Sequence, residues 1–143
     1  MHLAQFNVAR MLYPLDDPRM DGFVDRLDEL NALADRSPGF VWRLQDDEGT
    51  ATSIRPVGDD MLITLWVWQS AEAHNQYTYK SAHLEPFMRR QEWFTRPDGP
   101  HLVLWFVEEG HEPTLDESAE RLAHLGEHGP DDFAFTFGTV PKG

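Results

Sequence analysis

The sequence predicts an α+β domain of four short strands and two long amphipathic helices, extended at its C-terminus by a third helix. Three observations carry this expectation. Apolar residues alternate at two-residue steps in short runs, they recur at three- and four-residue steps in longer runs, and proline- and glycine-bearing segments separate the two kinds. A chain of 143 residues, 41% hydrophobic and 26% charged, is long enough for one domain with its own core and has the composition of neither a disordered nor a membrane protein.

Residues 3–11 alternate, with Ala4, Phe6 and Val8 on one side and Gln5, Asn7 and Ala9 on the other, as in a strand with one buried face. After the Leu12-Tyr-Pro-Leu-Asp-Asp-Pro loop, Met20, Phe23, Val24, Leu27, Leu30 and Ala34 trace one face of a helix, which Ser37-Pro-Gly39 stops. Phe40–Gln45 reads as a second strand. Residues 46–60, acid-rich with two glycines and a proline, read as a hairpin-like excursion into a third. There Leu62, Thr64, Trp66 and Trp68 point one way and Ile63, Leu65 and Val67 the other. The aliphatic set has the composition of a core, so the tryptophans are expected on the opposite face.

Ser70 is placed to cap a helix over 71–79; Pro86 predicts a break and a second segment to about 95. Arg96-Pro-Asp-Gly-Pro100 is a turn. His101–Val107 is a fourth strand, with Leu102, Leu104 and Phe106 expected on the core side. Thr114-Leu-Asp-Glu117 has capping-box spacing and predicts a last helix to about His128, ended by Gly129-Pro130. Phe133–Phe137 is suited to an edge strand.

The order β-α-β-β-α-β is the ferredoxin-like arrangement, with residues 1–110 as core and 111–143 as C-terminal extension of a single domain. Two helices on one face of a four-stranded sheet leave the other bare, and the alternation puts Gln5, Asn7, Thr64, Trp66, Trp68, Val103 and Trp105 there. Three bare indoles exceed the apolar patch a monomer usually shows. A homodimer pairing through this open sheet face is therefore expected.

With 25 acidic against 12 basic residues the formal charge is −13, so neither nucleic acid nor an anionic membrane is an expected partner. The absence of cysteine excludes disulfides and thiolate catalysis. The N-terminal residues alternate polar with apolar and lack the continuous apolar run of a signal peptide, which predicts a cytoplasmic protein.

Ser37-Pro-Gly39-Phe40, the Leu65-Trp66-Val67-Trp68-Gln-Ser70 strand end and the helix carrying His74 and His83 resemble the dimeric α/β-barrel superfamily, which includes the antibiotic-biosynthesis monooxygenases. Over nearly the whole chain, His2-Leu-Ala-Gln-Phe-Asn-Val-Ala-Arg10, Asn31-Ala-Leu-Ala-Asp-Arg-Ser-Pro-Gly-Phe-Val-Trp-Arg-Leu-Gln45, Ser81-Ala-His83, Arg89-Arg90-Gln-Glu-Trp-Phe94 and Ala134-Phe-Thr-Phe137 resemble a family of bacterial proteins of unknown function. The superfamily resemblance implies a ligand cavity between sheet and helices, often shared across a dimer. In its haem-degrading branch an Asn of the first strand, a Trp of the third and a His of the second helix line the site; Asn7, Trp66 or Trp68, and His74 or His83 stand at analogous places. The second tryptophan, the break near Pro86 and the added helix depart from that pattern.

His83 is the leading candidate for chemistry, because Tyr79, His83, Phe87 and Arg90 fall on one helical stripe and an imidazole titrates near working pH. Its bland alternative is to satisfy backbone freed by the break. His74 is read either as a ligand contact or as a partly exposed helix histidine. Asn7, an amide on an apolar wall, needs a partner that is either a ligand or a neighbouring side chain. Trp66, Trp68 and Trp105 are expected to form an aromatic wall for a flat substrate or a dimer core, with Tyr79 beside them. Arg43 or Arg89 is a candidate anchor for a carboxylate or phenolate, set against a surface salt bridge. His124-Leu-Gly-Glu127-His128 matches a zinc-protease string but lacks a third ligand and reads as a helix C-terminus. No metal site, phosphate loop or dinucleotide fingerprint is present.

These readings together point to a small-molecule-binding protein, a cofactor-independent monooxygenase or cyclase acting on an aromatic or polyketide-like compound, with His83 as proton acceptor and Asn7 orienting an oxygen. The alternatives are a non-catalytic ligand-binding or stress-associated dimer, and a haem-binding or haem-degrading protein. No cofactor is required by any motif, and the resemblance leaves haem open.

Overall fold

The computed structural model describes residues 1–80, 84–95, 97 and 99–141. Strand β1 (His2–Met11) is the middle of an antiparallel sheet, flanked by β3 (Met61–Trp68) and β5 (Leu102–Val107). Outside β3 runs β2 (Phe40–Arg43), while β4 (Phe94–Thr95) is a two-residue pairing with Arg10 and Met11 at the end of β1. The helices are α1 (Asp21–Asp35), α2 (Ala71–Lys80), α3 (Leu84–Met88) and α4 (Leu115–His128), with 3-10 turns at Pro18–Met20, Arg90–Glu92 and Phe137–Thr139. This is the expected ferredoxin-like α+β order with an added C-terminal helix. No helix among the described residues is long and apolar enough to cross a membrane.

Local chemistry sets the boundaries. The Ser70 hydroxyl accepts the Ala73 N–H at 3.1 Å and starts α2; the Thr114 hydroxyl accepts the Glu117 N–H at 3.1 Å and starts α4. The capping box at α4 is only half made, because the Glu117 carboxylate bonds to Trp105 and His111. Gly39 has φ +85°, and a Cβ there would lie 2.4 Å from that of Ala73. Only glycine lets the β2 entry pass this close to α2, which explains the Ser-Pro-Gly-Phe motif physically. The segment expected to stay helical to about 95 ends at Met88, and the chain then turns through Arg90–Glu92 into β4. Phe133–Phe137 makes a single bridge, Leu104 to Phe135, in place of an edge strand. Asp131 draws the Phe133 and Ala134 N–H groups onto its carboxylate at 2.9 and 3.1 Å, which curls the chain at that point.

The two sheet faces are the reverse of the expectation. The tryptophan face lies under α1 and α2, where Trp66 and Trp68 pack with Ala34, Tyr77, Leu33, Phe40 and Ala73. The aliphatic face, Ala4, Phe6, Val8, Ile63, Leu65 and Val67, packs with Leu125 and Leu122 of α4 and Ile54 of the excursion. Both faces are thus covered within the chain, and the argument for a dimer through an open face falls with the open face itself. Covering an indole removes roughly 150–250 Å² from water, about 4–6 kcal/mol at 25 cal/mol per Å², so the helices settle where the two largest side chains of β3 need a roof. The small Ala34 and Ala73 make room for them.

β5 is also out of phase with the expectation. Leu102 opposes Asn7 and Leu104 opposes Gln5, so Leu102, Leu104 and Phe106 share the tryptophan face. Val103, Trp105 and Val107 join the aliphatic one, opposite Phe6, Ala4 and His2.

Candidate functional site

Three apolar clusters surround the middle of the helix-covered face. Around Trp66 and Trp68 lies the first; Met11, Met20, Leu62 and Trp93 form the second, and Leu3, Leu104 and Phe135 the third. Between them the β1–β3 register brings Asn7 directly opposite Thr64, with Gln5 and Trp66 as the next pair on that face. Asn7 and Thr64 are only partly buried. Neither side chain has a hydrogen-bond partner among the described residues. Neither is among the polar side-chain atoms sealed from solvent without a partner, so both are open to water or to a ligand.

Trp66 is the next residue to this pair on the same face. Its indole N–H donates to the Gln5 carbonyl oxygen, and both residues are enclosed. Above it, α2 turns His74, Tyr77 and Thr78 inward at three- and four-residue steps. The His74 ring meets Trp66 and Trp68 edge to face at 5.5 and 5.7 Å and stacks on Phe137 at 4.8 Å. Its Nδ1 lies 3.5 Å from the Thr78 hydroxyl. The Tyr77 hydroxyl donates to the Leu30 carbonyl at 2.9 Å, tying α2 to α1, and burial pushes its phenol well above the ordinary value. Trp68 is wholly enclosed, and its indole N–H has no hydrogen-bond partner among the described residues.

The predicted residues therefore divide. Asn7, Trp66, Trp68 and His74 come together on one face. Trp105 is on the opposite face, fully buried, its N–H donating to Glu117 at 2.8 Å. Tyr79 points outward from α2 and meets Phe87 edge to face at 5.5 Å. Arg43 is committed internally: its guanidinium forks onto Asp35 at 2.8 and 3.2 Å and donates to the Gly49 carbonyl at 2.6 Å, so it is a bolt between α1, β2 and the excursion rather than a free anchor. Arg89 pairs with Glu85 and Glu92. His83 lies outside the described residues, as does the turn at Arg96 and Asp98.

Sequence reasoning passed over Gln5, Tyr77, Thr78 and Phe137. The Gln5 signal was legible, since alternation sets it beside Trp66 on the same face; the Phe137 contact, made from the far end of the chain, had none.

Among the described residues no three His, Asp or Glu side chains are grouped to hold a metal. His124 of the zinc-protease string bonds to Asp131 at 2.6 Å and packs against His128 and Phe133 at the end of α4. Phe137, Trp66 and Trp68 pack around the His74 imidazole on several sides. An apolar groove of about 350 Å³ between α4 and the excursion, floored by Phe6 and bordered by Val57 and Leu122, is lined by no polar side chain.

Solved structures share this architecture at low identity. Rv0793 from Mycobacterium tuberculosis is 14% identical, with 78% of this chain and 100% of that chain covered at a TM-score of 0.52. The structural-genomics protein YJCS is 11% identical, covering 76% and 100% at 0.51. These likenesses show the fold. SnoaB, a cofactor-independent oxygenase from Streptomyces nogalater, is 14% identical, covering 76% and 94% at 0.48. No curated protein matches the sequence. A domain family does match, over residues 2–142, and the chain belongs to it: the family described as a domain of unknown function, DUF3291.

Proposed function

We propose that this protein binds a flat aromatic small molecule on the helix-covered face of its sheet and acts on it as a cofactor-independent oxygenase. The observation that carries the reading is the Asn7–Thr64 pair, two polar groups without a partner among the described residues, bordered on their face by three apolar clusters. A pocket of apolar walls with a few convergent polar groups is the usual form of a small-molecule site. Here Trp66 supplies an aromatic wall, and Asn7 with Thr64 orients a ligand oxygen.

The chemistry asked of such a site is modest. A base removes a proton from an acidic carbon or phenol, the resulting anion is shielded from water, and the electron-rich substrate itself reduces O₂. We assign the base to His83. His74 is a wall residue in this reading, because three aromatic rings pack around it.

The test has two parts. Anthrone, titrated under nitrogen, should quench tryptophan fluorescence saturably, and Asn7→Leu should weaken binding about tenfold, the value of one hydrogen bond of about 1.4 kcal/mol. In air, anthrone-dependent oxygen uptake should be lost in His83→Ala and kept in His74→Phe. Binding indifferent to Asn7 would refute the site, and uptake surviving His83→Ala would refute the base.

A further inference from the structure

We propose that Gln5 is a specificity-determining residue of this site: Trp66 locks its amide so that it offers the ligand only N–H donors, and the ligand group facing it must be a hydrogen-bond acceptor such as a carbonyl or phenolate oxygen. The inference rests on the helix-side pocket proposed above and deepens it. An indole N–H is a donor and nothing else, so the Gln5 atom it meets must be the carbonyl oxygen. That contact fixes the other half of the amide as the NH₂ group. A flip would set NH₂ against N–H in an enclosed place, since Gln5 is 6% and Trp66 8% exposed, and would leave both donors unsatisfied. The penalty, on the order of 1–3 kcal/mol, holds the amide in one orientation.

The amide nitrogen has no partner among the described residues, yet it is not one of the unpaired polar atoms sealed from solvent, which are His2 Nδ1, Arg10 Nε, Trp68 Nε1 and Arg121 Nε. It is an open donor. Its neighbours along the face differ in kind. Asn7 has nothing among the described residues to set its amide, and a threonine hydroxyl donates or accepts, so both adapt to whatever is bound. Gln5 is the member of the trio with fixed polarity, and a site with one fixed donor rejects a ligand that brings a second donor to the same point, because both are then left unpaired.

The experiment compares two tricyclic probes of similar size, anthrone with a carbonyl at C9 and 9-aminoanthracene with an amine there, by fluorescence quenching under nitrogen at pH 8. The wild-type protein should bind anthrone at least about tenfold more tightly. Gln5→Glu, which keeps an oxygen for Trp66 and turns the free end into an acceptor, should reverse the preference, and Gln5→Met should abolish it. Equal affinity of the wild-type protein for the two probes would overturn the role of Gln5 and leave the pocket standing. Variants that weaken both probes in the same proportion would make Gln5 merely structural. Failure of both probes to bind the wild-type protein would remove the pocket and this inference with it.

Discussion

Replacing Glu117 by alanine should loosen the C-terminal helix from the sheet by an amount that can be worked out from three contacts. One carboxylate oxygen accepts the Trp105 indole N–H at 2.8 Å, the other meets His111 at 2.7 Å, and the residue sits in the first turn of α4. Trp105 is wholly buried, so the orphaned N–H costs about 1–3 kcal/mol. The contact with half-exposed His111 adds at most about 1 kcal/mol, and the acidic side chain at the helix N-terminus about 0.3–1 kcal/mol. A loss near 3 kcal/mol follows, which for a chain of this size lowers Tm by about 6–12 °C. Urea unfolding of the wild-type, Glu117→Ala, Trp105→Phe and double variants measures the pair, with a coupling of at least about 1.5 kcal/mol expected between the two sites. Burial raises the Glu117 pKa, but the hydrogen bonds from His111 and Trp105 and the His111 charge together outweigh it, so the carboxyl titrates below the ordinary 4.5. A lowered value means stability that is present above 4.5 and lost as pH falls through the folded-state pKa; the Glu117→Ala penalty should shrink over that window. A penalty under about 0.5 kcal/mol at pH 7, or additive effects in the double variant, would refute the latch.

Three further outcomes are expected. Gly39→Ala should cost about 2 kcal/mol or more in urea unfolding, from a positive φ and the 2.4 Å approach to Ala73, with Ala73→Gly recovering part of it; a neutral result would contradict the close crossing of β2 and α2. The Asp46 carboxyl, held down to about 2 by the Ser53 hydroxyl and by the Thr50, Glu48 and Ser53 N–H groups, should keep the 46–53 turn ordered until the pH falls through that value. Carboxyl-carbon NMR with a midpoint near 3.8 would argue against it. Tyr77→Phe should cost about 1 kcal/mol by removing the hydrogen bond that ties α2 to the Leu30 carbonyl, and in the wild-type protein the Tyr77 phenol should ionise only as the fold is lost, read by absorbance near 295 nm.

The order of elements was readable because strand and helix periods are strong signals in β1, α1, β3 and α4. The faces were not. The inference that aliphatic residues mark the core fails when both sides of a sheet are covered, and here α4 and Ile54 cover the side opposite the long helices. The phase of β5 was unreadable for a related reason: Leu102-Val-Leu-Trp-Phe-Val107 is apolar at every position, so no polar residue marks which set faces which layer. Its register comes from pairing with β1. Asn7, Trp66, Trp68 and His74 could be grouped from alternation and helix spacing. Arg43 could not be recognised as internal, because its partners Asp35 and Gly49 are brought to it by the α1–β2 turn and the excursion. Trp105 followed β5 to the other face.

The central claim, that a small molecule binds at the Asn7–Thr64 pair, is tested most directly by ¹H–¹⁵N spectra recorded while anthrone is added under nitrogen. The Asn7 side-chain amide and the Trp66 indole N–H should shift together along one saturable curve, while the Trp105 indole, bonded to Glu117 on the opposite face, stays in place. Shifts centred on Trp105, or none at Asn7 and Trp66, would contradict the account.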